Sequence, residues 1–390
     1  MFVEGPEYLQ RRNVPFSPPN VTFKELRAVI PPELYEKSIL RGFFFLVQDV
    51  FTTWALYALS LRIDGVSENL TNKFGLSYST SVAIAMAGCW CLAGHGNICK
   101  YGVINDTIGY FLHTCLLTPY FAWKSSHHTH YRTVGSIERD ENYVPRTRSE
   151  LGFTTVEQMH EMFEETPLYT VGHLLHFSPS SILFKKHEYN KIVASNVGLL
   201  LVSSILVQYS LKFGFTALLK HYIIPYLFCH HWIVMLTFLH HSDPTIPHYR
   251  AGQWTFLRGA LATVDRPLLG FIGRMYFHNV SHDHIGHHIF SSIPFYNQPA
   301  VTEKIKGVLA EHYNYDSTNS FYALYRSFTQ CVFIDDEGEV VMYRNGEGKT
   351  AREIGIIPQT GTARPLAGYL ARMARKEMRS GGGEVCKGMK

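Results

Sequence analysis

Long apolar runs are the feature of this 390-residue sequence that most limits how it can fold. A run of about 20 apolar residues is long enough to cross the hydrocarbon core of a bilayer as a helix. Only 17% of the residues are charged, against about 25% in average soluble proteins, so the sequence favours contact with lipid. Five such runs lie at residues 42–61, 79–98, 103–123, 192–211 and 222–239.

The positions of the histidines limit how these runs can cross a bilayer. Histidine groups follow the third and fifth runs, and another group lies in the last polar region. If all five runs crossed, the first and last groups would face opposite sides of the membrane. Two hairpins, made by the first and second runs and by the fourth and fifth, put every group on one face. The third run then lies in the interface or re-enters the membrane.

Cations border this shared face, including Arg41, Arg132 and Lys191, and the positive-inside rule makes it cytosolic. We therefore predict an all-α integral membrane protein with four transmembrane helices, a membrane-interface helix and a cytosolic His-lined cap, with both termini cytosolic. The alternative is a soluble protein built around buried helices. Asp49 lies inside the first run, where an ionisable side chain is costly.

Composition and the polar segments complete this outline. We predict a single domain over 1–390, with a cytosolic N-terminal segment at 1–40 and a basic C-terminal tail at 363–390. The tail is either an amphipathic helix on the membrane surface or a solvated helix. A net charge of +4 is too small to indicate nucleic acid as a partner, and seven Cys do not indicate a disulfide framework.

Two histidine motifs predict a metal site. His284, His287 and His288 form an HxxHH pattern, and His127 and His130 form an HxxH pattern, so each places two imidazoles on one helix face. Imidazole nitrogen suits iron, zinc and copper. One HxxH alone is a weak signal, but two motifs at the same membrane face are a strong one. The alternative is that these histidines are structural.

Three segments resemble the membrane fatty acid desaturases, closest to the fungal and plant Δ12 (oleate) type. Residues 119–145, with HHTHY at 127–131, resemble the second histidine box of that family, and residues 277–297, with HIGHH at 284–288, resemble the third. Residues 239–267 are similar to the family's segment around an isolated ligand, here His241. The resemblance covers nearly the whole chain.

This resemblance implies an oxidoreductase of the endoplasmic reticulum membrane that uses non-haem iron and molecular oxygen. Its substrate would be a long acyl or polyketide chain of a lipid, and the reaction desaturation, hydroxylation, epoxidation or acetylenic-bond formation. Cytochrome b5 and its reductase would supply electrons as separate partners, because the haem-binding HPGG pattern is missing. The implied metal ligands are His127, His130, His241, His284, His287 and His288.

The sequence departs from the family pattern at three expected ligands. The first box should read His-x-x-x-His, but its two ligand positions hold Gly94 and Ile98, and the last position of the second box holds Tyr131. A complete two-iron centre is therefore not predicted. Tyr131 could ligate as phenolate or act in packing and hydrogen bonding. Four histidines beside box positions are candidate replacement ligands: His95, His128, His240 and His282.

Because three expected metal ligands are missing, the sequence is also compatible with a second class of function. The chain could be a non-redox cyclase or isomerase, or an inactive lipid-binding paralogue, that uses the same scaffold. Asp140 follows the second box, and we expect it to support a ligand or the local structure rather than to bind metal. No catalytic side chain besides the metal ligands can be named from the sequence.

Overall fold

The computed structural model describes residues 3–82, 102–140, 145–151, 174–181 and 183–355. Most of the second apolar run and the whole tail at 363–390 lie outside these residues; residues 79–82, which begin that run, are helical. The described chain is mostly helical. Its elements are α1 (Pro6–Asn13), α2 (Phe23–Ala28), α3 (Ile39–Ser60), α4 (Ile63–Phe74), α5 (Gly102–Cys115), α6 (Tyr120–Thr133), α7 (Tyr189–Phe213), α8 (Phe215–Leu218), α9 (Ile224–His241), β1 (Pro247–Tyr249), α10 (Phe256–Leu261), α11 (Gly270–Tyr276), α12 (His284–Ile289), α13 (Gln298–Leu309), α14 (Ser320–Gln330) and β2 (Val340–Met342).

Three helical stretches among the described residues are long and apolar enough to cross a membrane: Ile39–Ser60, Lys186–Phe213 and Phe215–His241. They correspond to the first, fourth and fifth apolar runs. Large apolar side chains remain exposed along them; Leu211, for example, is 82% exposed. A soluble protein rarely leaves a large apolar surface open to water, so this surface fits contact with lipid.

The third apolar run is interrupted. Helix α5 ends at Cys115, and α6 begins after Pro119, which occupies the N-cap position. The Asp106 carboxylate in α5 pairs with the Lys124 ammonium and accepts a hydrogen bond of 2.7 Å from the Tyr120 hydroxyl, both on α6. These polar contacts join the two helices across the break between Cys115 and Tyr120.

The costly Asp49 of α3 has a partner far away in the sequence. Its Oδ2 lies 3.0 Å from Nε2 of His278, and both residues are buried. His278 and Asn279 both have positive φ angles, of 48° and 65°, which are uncommon for residues other than glycine. The pair therefore fixes the loop in front of α12 against the first membrane helix.

A buried ion network holds the polar part of the chain together. The guanidinium of Arg266 contacts both Asp243 and Asp316 at 2.5 Å, and its Nε donates to the carbonyl of Leu239 at 2.9 Å. Arg326 also pairs with Asp316 at 2.5 Å. These charges are almost completely buried, so each depends on its partners. The network connects the end of α9 to α14.

A short antiparallel sheet joins β1 to β2, with Pro247 opposite Met342 and Tyr249 opposite Val340. The prediction of an all-α protein misses this sheet. Both strands have three residues and are buried on both faces. Such short strands show no alternating pattern, and they form only because the fold brings two distant segments together.

Candidate metal centre

Four imidazoles from three helices converge at the end of α9. The Nε2 of His241 lies 3.3 Å from that of His130, 3.1 Å from that of His284 and 3.3 Å from that of His288. The Nε2 atoms of His284 and His288 are 3.2 Å apart. All four residues are at least 95% buried. We call these residues the four-His cluster.

Hydrogen bonds at the opposite ring nitrogens fix which atoms face one another. The Nδ1 of His130 contacts the Asp140 carboxylate at 2.9 and 3.0 Å, and the Nδ1 of His284 contacts the Val280 carbonyl at 3.0 Å. Both oxygens accept, so both Nδ1 atoms carry hydrogen, and a ring whose single N–H is at Nδ1 points an Nε2 lone pair at His241. His241 can donate one hydrogen at most, so lone pairs oppose one another unless a cation lies between them.

The electrostatics of the cluster also favour metal over protons. Burial and the neighbouring histidines lower the pKa of His284 and His288 well below the usual value. Their imidazoles are therefore neutral at physiological pH, which is the form that ligates metal. Metal–nitrogen distances of about 2.0–2.1 Å would place tetrahedral nitrogen ligands roughly 3.3 Å apart, close to the distances from the His241 Nε2 to the Nε2 atoms of the other three. The donor atoms of His130, His241 and His288 all lie within 4.8 Å of one another. The donor set of the four-His cluster therefore fits a first-row transition metal.

The helix that carries the third box is held by residues outside the motif. The Asp265 Oδ1 accepts a hydrogen bond of 2.8 Å from the backbone nitrogen of Ile285 in α12, and its Oδ2 accepts one of 2.5 Å from the Tyr313 hydroxyl. Burial raises the pKa of Asp265 to about 8. Asp265 thus anchors the first turn of the helix that presents His284 and His288.

A second group lies beside the four-His cluster. The Tyr131 hydroxyl lies 3.0 Å from Nε2 of His127 and makes a short hydrogen bond with Nε2 of His287. The His127 ring stacks on Trp123 with centroids 4.6 Å apart, and the Tyr131 ring lies 5.1 Å from the ring of His288. We call His127, Tyr131 and His287 the Tyr131 triad.

The structure divides the six ligands implied by the sequence between these groups. His130, His241, His284 and His288 form the four-His cluster, whereas His127 and His287 converge on Tyr131. The first-box positions, with Gly94, His95 and Ile98, lie outside the described residues.

The other replacement candidates are placed differently. His128 is exposed, because consecutive helical residues point about 100° apart and His127 takes the inner face of α6. This position argues against His128 as a ligand. Both ring nitrogens of His240 contact protein oxygens, those of Val264 and Ser281. His282 is buried and bonds to the backbone of Gly270.

Sequence reasoning did not assign roles to His248, Asp265 and His278. His248 is buried against Tyr343, with ring centroids 4.9 Å apart, and burial lowers its pKa to about 4. Each of these residues depends on a partner far away in the chain, so no local pattern marks it. The signal that could have pointed to His278 is Asp49, a carboxylate in an apolar run that requires a partner.

Comparisons with known proteins identify the family of the chain. The profile of the fatty acid desaturase family matches residues 74–319. A Δ12 fatty acid desaturase of Mortierella isabellina is 35% identical over 367 residues, which cover 84% of this chain and 91% of the relative. An oleate hydroxylase of Claviceps purpurea is 31% identical, with 88% and 85% covered. An acyl-lipid (9+3)-(E)-desaturase of Dimorphotheca sinuata is 32% identical, with 85% and 93% covered.

The chain therefore belongs to the fatty acid desaturase family. The sequence-based prediction of a membrane-bound, oxygen-using oxidoreductase that resembles the fatty acid desaturases is confirmed at this level. The alternative of a non-redox protein on the same scaffold finds no support in these relatives.

Proposed function

We propose that this chain oxidises the acyl chain of a membrane lipid at an iron centre built on the four-His cluster. The observation that carries the proposal is the convergence of Nε2 lone pairs from α6, α9 and α12, at separations of 3.1–3.3 Å. Desaturation is the reaction we favour, with hydroxylation, epoxidation and triple-bond formation as variants. Bound iron supplies the capacity to activate oxygen against an unactivated C–H bond.

The residues of the chain prepare this centre. Asp140 and the Val280 carbonyl hold His130 and His284 in the tautomer that presents Nε2. Asp265 anchors α12, and the Asp49–His278 pair fixes the loop before it. Burial of all four imidazoles keeps bulk water away, which protects a reactive centre from side reactions.

The balanced reaction requires an electron donor. Desaturation takes one CH2–CH2 unit, one O2, two electrons and two protons, and gives one CH=CH unit and two waters. We propose cytochrome b5 and its reductase as donors. The acyl chain would reach the centre between the membrane helices, where apolar surface is already free of water.

The membrane arrangement that we propose retains four transmembrane helices and a cytosolic His-lined cap. The three apolar stretches described above support three of these spans, and the second apolar run would supply the fourth. Both termini would then be cytosolic, in the endoplasmic reticulum membrane, and the chain would form one domain with its basic tail at 363–390. His241 ends α9, so the metal centre would lie at the cytosolic interface.

Lipid analysis of cells that express the chain tests the proposed function. Yeast microsomes containing the wild-type protein should gain an acyl product that is unsaturated or oxygenated, detected by mass spectrometry of methyl esters. The His288→Ala protein should give no product, because it lacks one ligand of the four-His cluster. The matched control is His128→Ala, which removes an exposed imidazole of α6 and should leave the product unchanged.

Two results would oppose the proposal. Equal product from His288→Ala would show that the four-His cluster is not the reactive centre. A product formed without oxygen, with no change in hydrogen or oxygen content, would favour the cyclase or isomerase alternative.

A further inference from the structure

A cleft of about 440 Å³ lies beside the start of α3, the first of the apolar stretches that are long enough to cross a membrane. Its walls are formed by Leu40, Arg41, Phe44, Phe45 and Tyr296. Leu40 and Phe44 are 79% and 62% exposed, so the cleft is continuous with the apolar surface of α3 that fits contact with lipid. Sites for small molecules usually measure about 300–1,000 Å³. The cleft is therefore open to lipid and large enough to hold part of a lipid molecule.

Arg41 brings a positive charge to this apolar cleft. Its guanidinium carbon lies 5.5 Å from the centre of the Tyr296 ring. No carboxylate in the described part of the chain pairs with Arg41. An arginine side chain can bind two phosphate oxygens through parallel N–H groups. The Arg41 guanidinium therefore has donors left for an anion.

Tyr296 offers a second donor at the same place. Its hydroxyl oxygen accepts a hydrogen bond of 2.7 Å from the backbone nitrogen of Ser38. A phenol also has one O–H to donate, and none of the described residues accepts it from Tyr296. The Phe45 ring lies nearly parallel to the Tyr296 ring, at 8° and 6.2 Å between centroids, and supports it. The cleft therefore combines donors for an anion with apolar walls, which is the polarity of a phospholipid.

We infer that this cleft binds an anionic phospholipid, with its phosphate on Arg41 and Tyr296 and an acyl chain along Leu40 and Phe44. The inference rests on the proposed membrane arrangement, which puts the start of α3 at the cytosolic interface, and does not require the iron centre. A cation without a carboxylate partner at that interface favours lipids of net negative charge. The lipid supports the structure and is not the substrate, because the cleft is formed by exposed side chains whereas the four-His cluster is buried.

Contacts behind the cleft show what the lipid would stabilise. The Phe45 ring lies 5.5 Å from the ring of His278 and 4.8 Å from that of Phe295. His278 pairs with Asp49, which lies one turn beyond Phe45 in α3. A lipid in the cleft would therefore pack on Phe45 and hold α3 against the loop in front of α12. Bound lipid should raise the thermal unfolding midpoint of the protein.

The test uses full-length protein purified in dodecyl maltoside and exchanged into fresh detergent to remove lipid. Mixed micelles then supply dioleoyl phosphatidylglycerol, or dioleoyl phosphatidylcholine, which has the same chains and no net charge. Native mass spectrometry measures the affinity for each lipid, and circular dichroism measures the unfolding midpoint. The wild-type protein should bind phosphatidylglycerol more tightly than phosphatidylcholine and unfold at a higher temperature with phosphatidylglycerol bound.

Variants of the two donors locate the binding. Arg41→Ala should weaken phosphatidylglycerol binding by about tenfold or more, and Tyr296→Phe by about fivefold. Arg41→Lys keeps the charge without the planar fork and should recover part of the affinity. Lys191→Ala is the matched control and should leave the affinity unchanged. Lys191 is the third residue of α7, as Arg41 is of α3, and it also lies over an aromatic ring, that of Phe121.

Several results would overturn the inference. Equal affinity of the wild-type protein and Arg41→Ala would do so, as would equal binding of the two lipids. Displacement of phosphatidylglycerol by inorganic phosphate alone would show that the site takes a free anion, and displacement by oleate at equal concentration would show that it takes a fatty carboxylate. Because the assay contains no iron and no oxidation step, its failure would leave the proposed function standing, and a failure of the proposed function would leave this site standing.

Discussion

Removal of the Asp140 carboxylate should weaken metal binding without touching a metal ligand. Asp140 accepts from the Nδ1 of His130 at 2.9 and 3.0 Å, with both side chains at most 1% exposed. Without this acceptor, His130 can move its hydrogen to Nε2 and lose the lone pair that faces His241. Loss of such an outer partner typically costs 10–100-fold in metal affinity, or about 1.4–2.8 kcal/mol.

The size of the loss should depend on the replacement. Asp140→Asn keeps a carbonyl that can accept from Nδ1, so we expect a loss near tenfold, whereas Asp140→Leu should approach a hundredfold. Competition for Fe2+ against a chromophoric chelator, without oxygen, measures both. Asp106→Asn is the control. The Asp106 carboxylate pairs with Lys124 between α5 and α6, away from the His130 ring, so its loss should not change iron affinity. Unchanged affinity in Asp140→Leu would refute the tautomer argument.

Three further predictions concern stability and topology. Arg266→Met should lower the free energy of unfolding by about 3–5 kcal/mol, because it leaves buried carboxylates unpaired, whereas Lys306→Met, at an exposed pair, should cost less than about 0.5 kcal/mol. Thermal unfolding in detergent compares the two, and equal midpoints would contradict the role of the network. Burial lowers the pKa of His248 to about 4, so its contribution to stability is present above about pH 6.5 and is lost as pH falls through 4. His248→Phe should remove up to about 3 kcal/mol of this acid sensitivity. An unchanged dependence of the free energy of unfolding on pH would oppose this assignment. Protease protection of sealed microsomes should leave tags at both termini accessible from the cytosolic side, and a protected C-terminus would overturn the hairpin topology.

The sequence predicted those structural features that depend on a single segment of the chain. The apolar runs that became α3, α7 and α9 are long enough to reveal themselves by composition alone. The candidate ligands on α6 and α12 were predicted from spacing, because an HxxH spacing puts two imidazoles on one helix face. The first residue of α3 was not predicted by the apolar run, which begins at Gly42. The Ser38 side chain caps the helix by accepting a hydrogen bond from the Arg41 backbone nitrogen, so α3 begins at Ile39.

Features that depend on distant contacts could not be predicted. The Asp49–His278 pair joins residues that are 229 positions apart, and Asp265 reaches α12 from a loop 20 positions earlier. The sheet between β1 and β2 pairs two segments that are far apart in the chain, Pro247 with Met342 and Tyr249 with Val340. The division of six implied ligands into a cluster and a triad was equally hidden, because a spacing rule places His127 and His130 on one helix face but does not show what each meets.

Iron content tests the central claim most directly, since the proposed reaction depends on a metal at the four-His cluster. His241 contacts His130, His284 and His288 and is the residue that joins them. Elemental analysis of wild-type protein, purified in detergent after growth with iron, should find bound iron, and His241→Ala should lose it while remaining folded by circular dichroism. Wild-type protein without iron, or His241→Ala with the wild-type amount, would contradict the account.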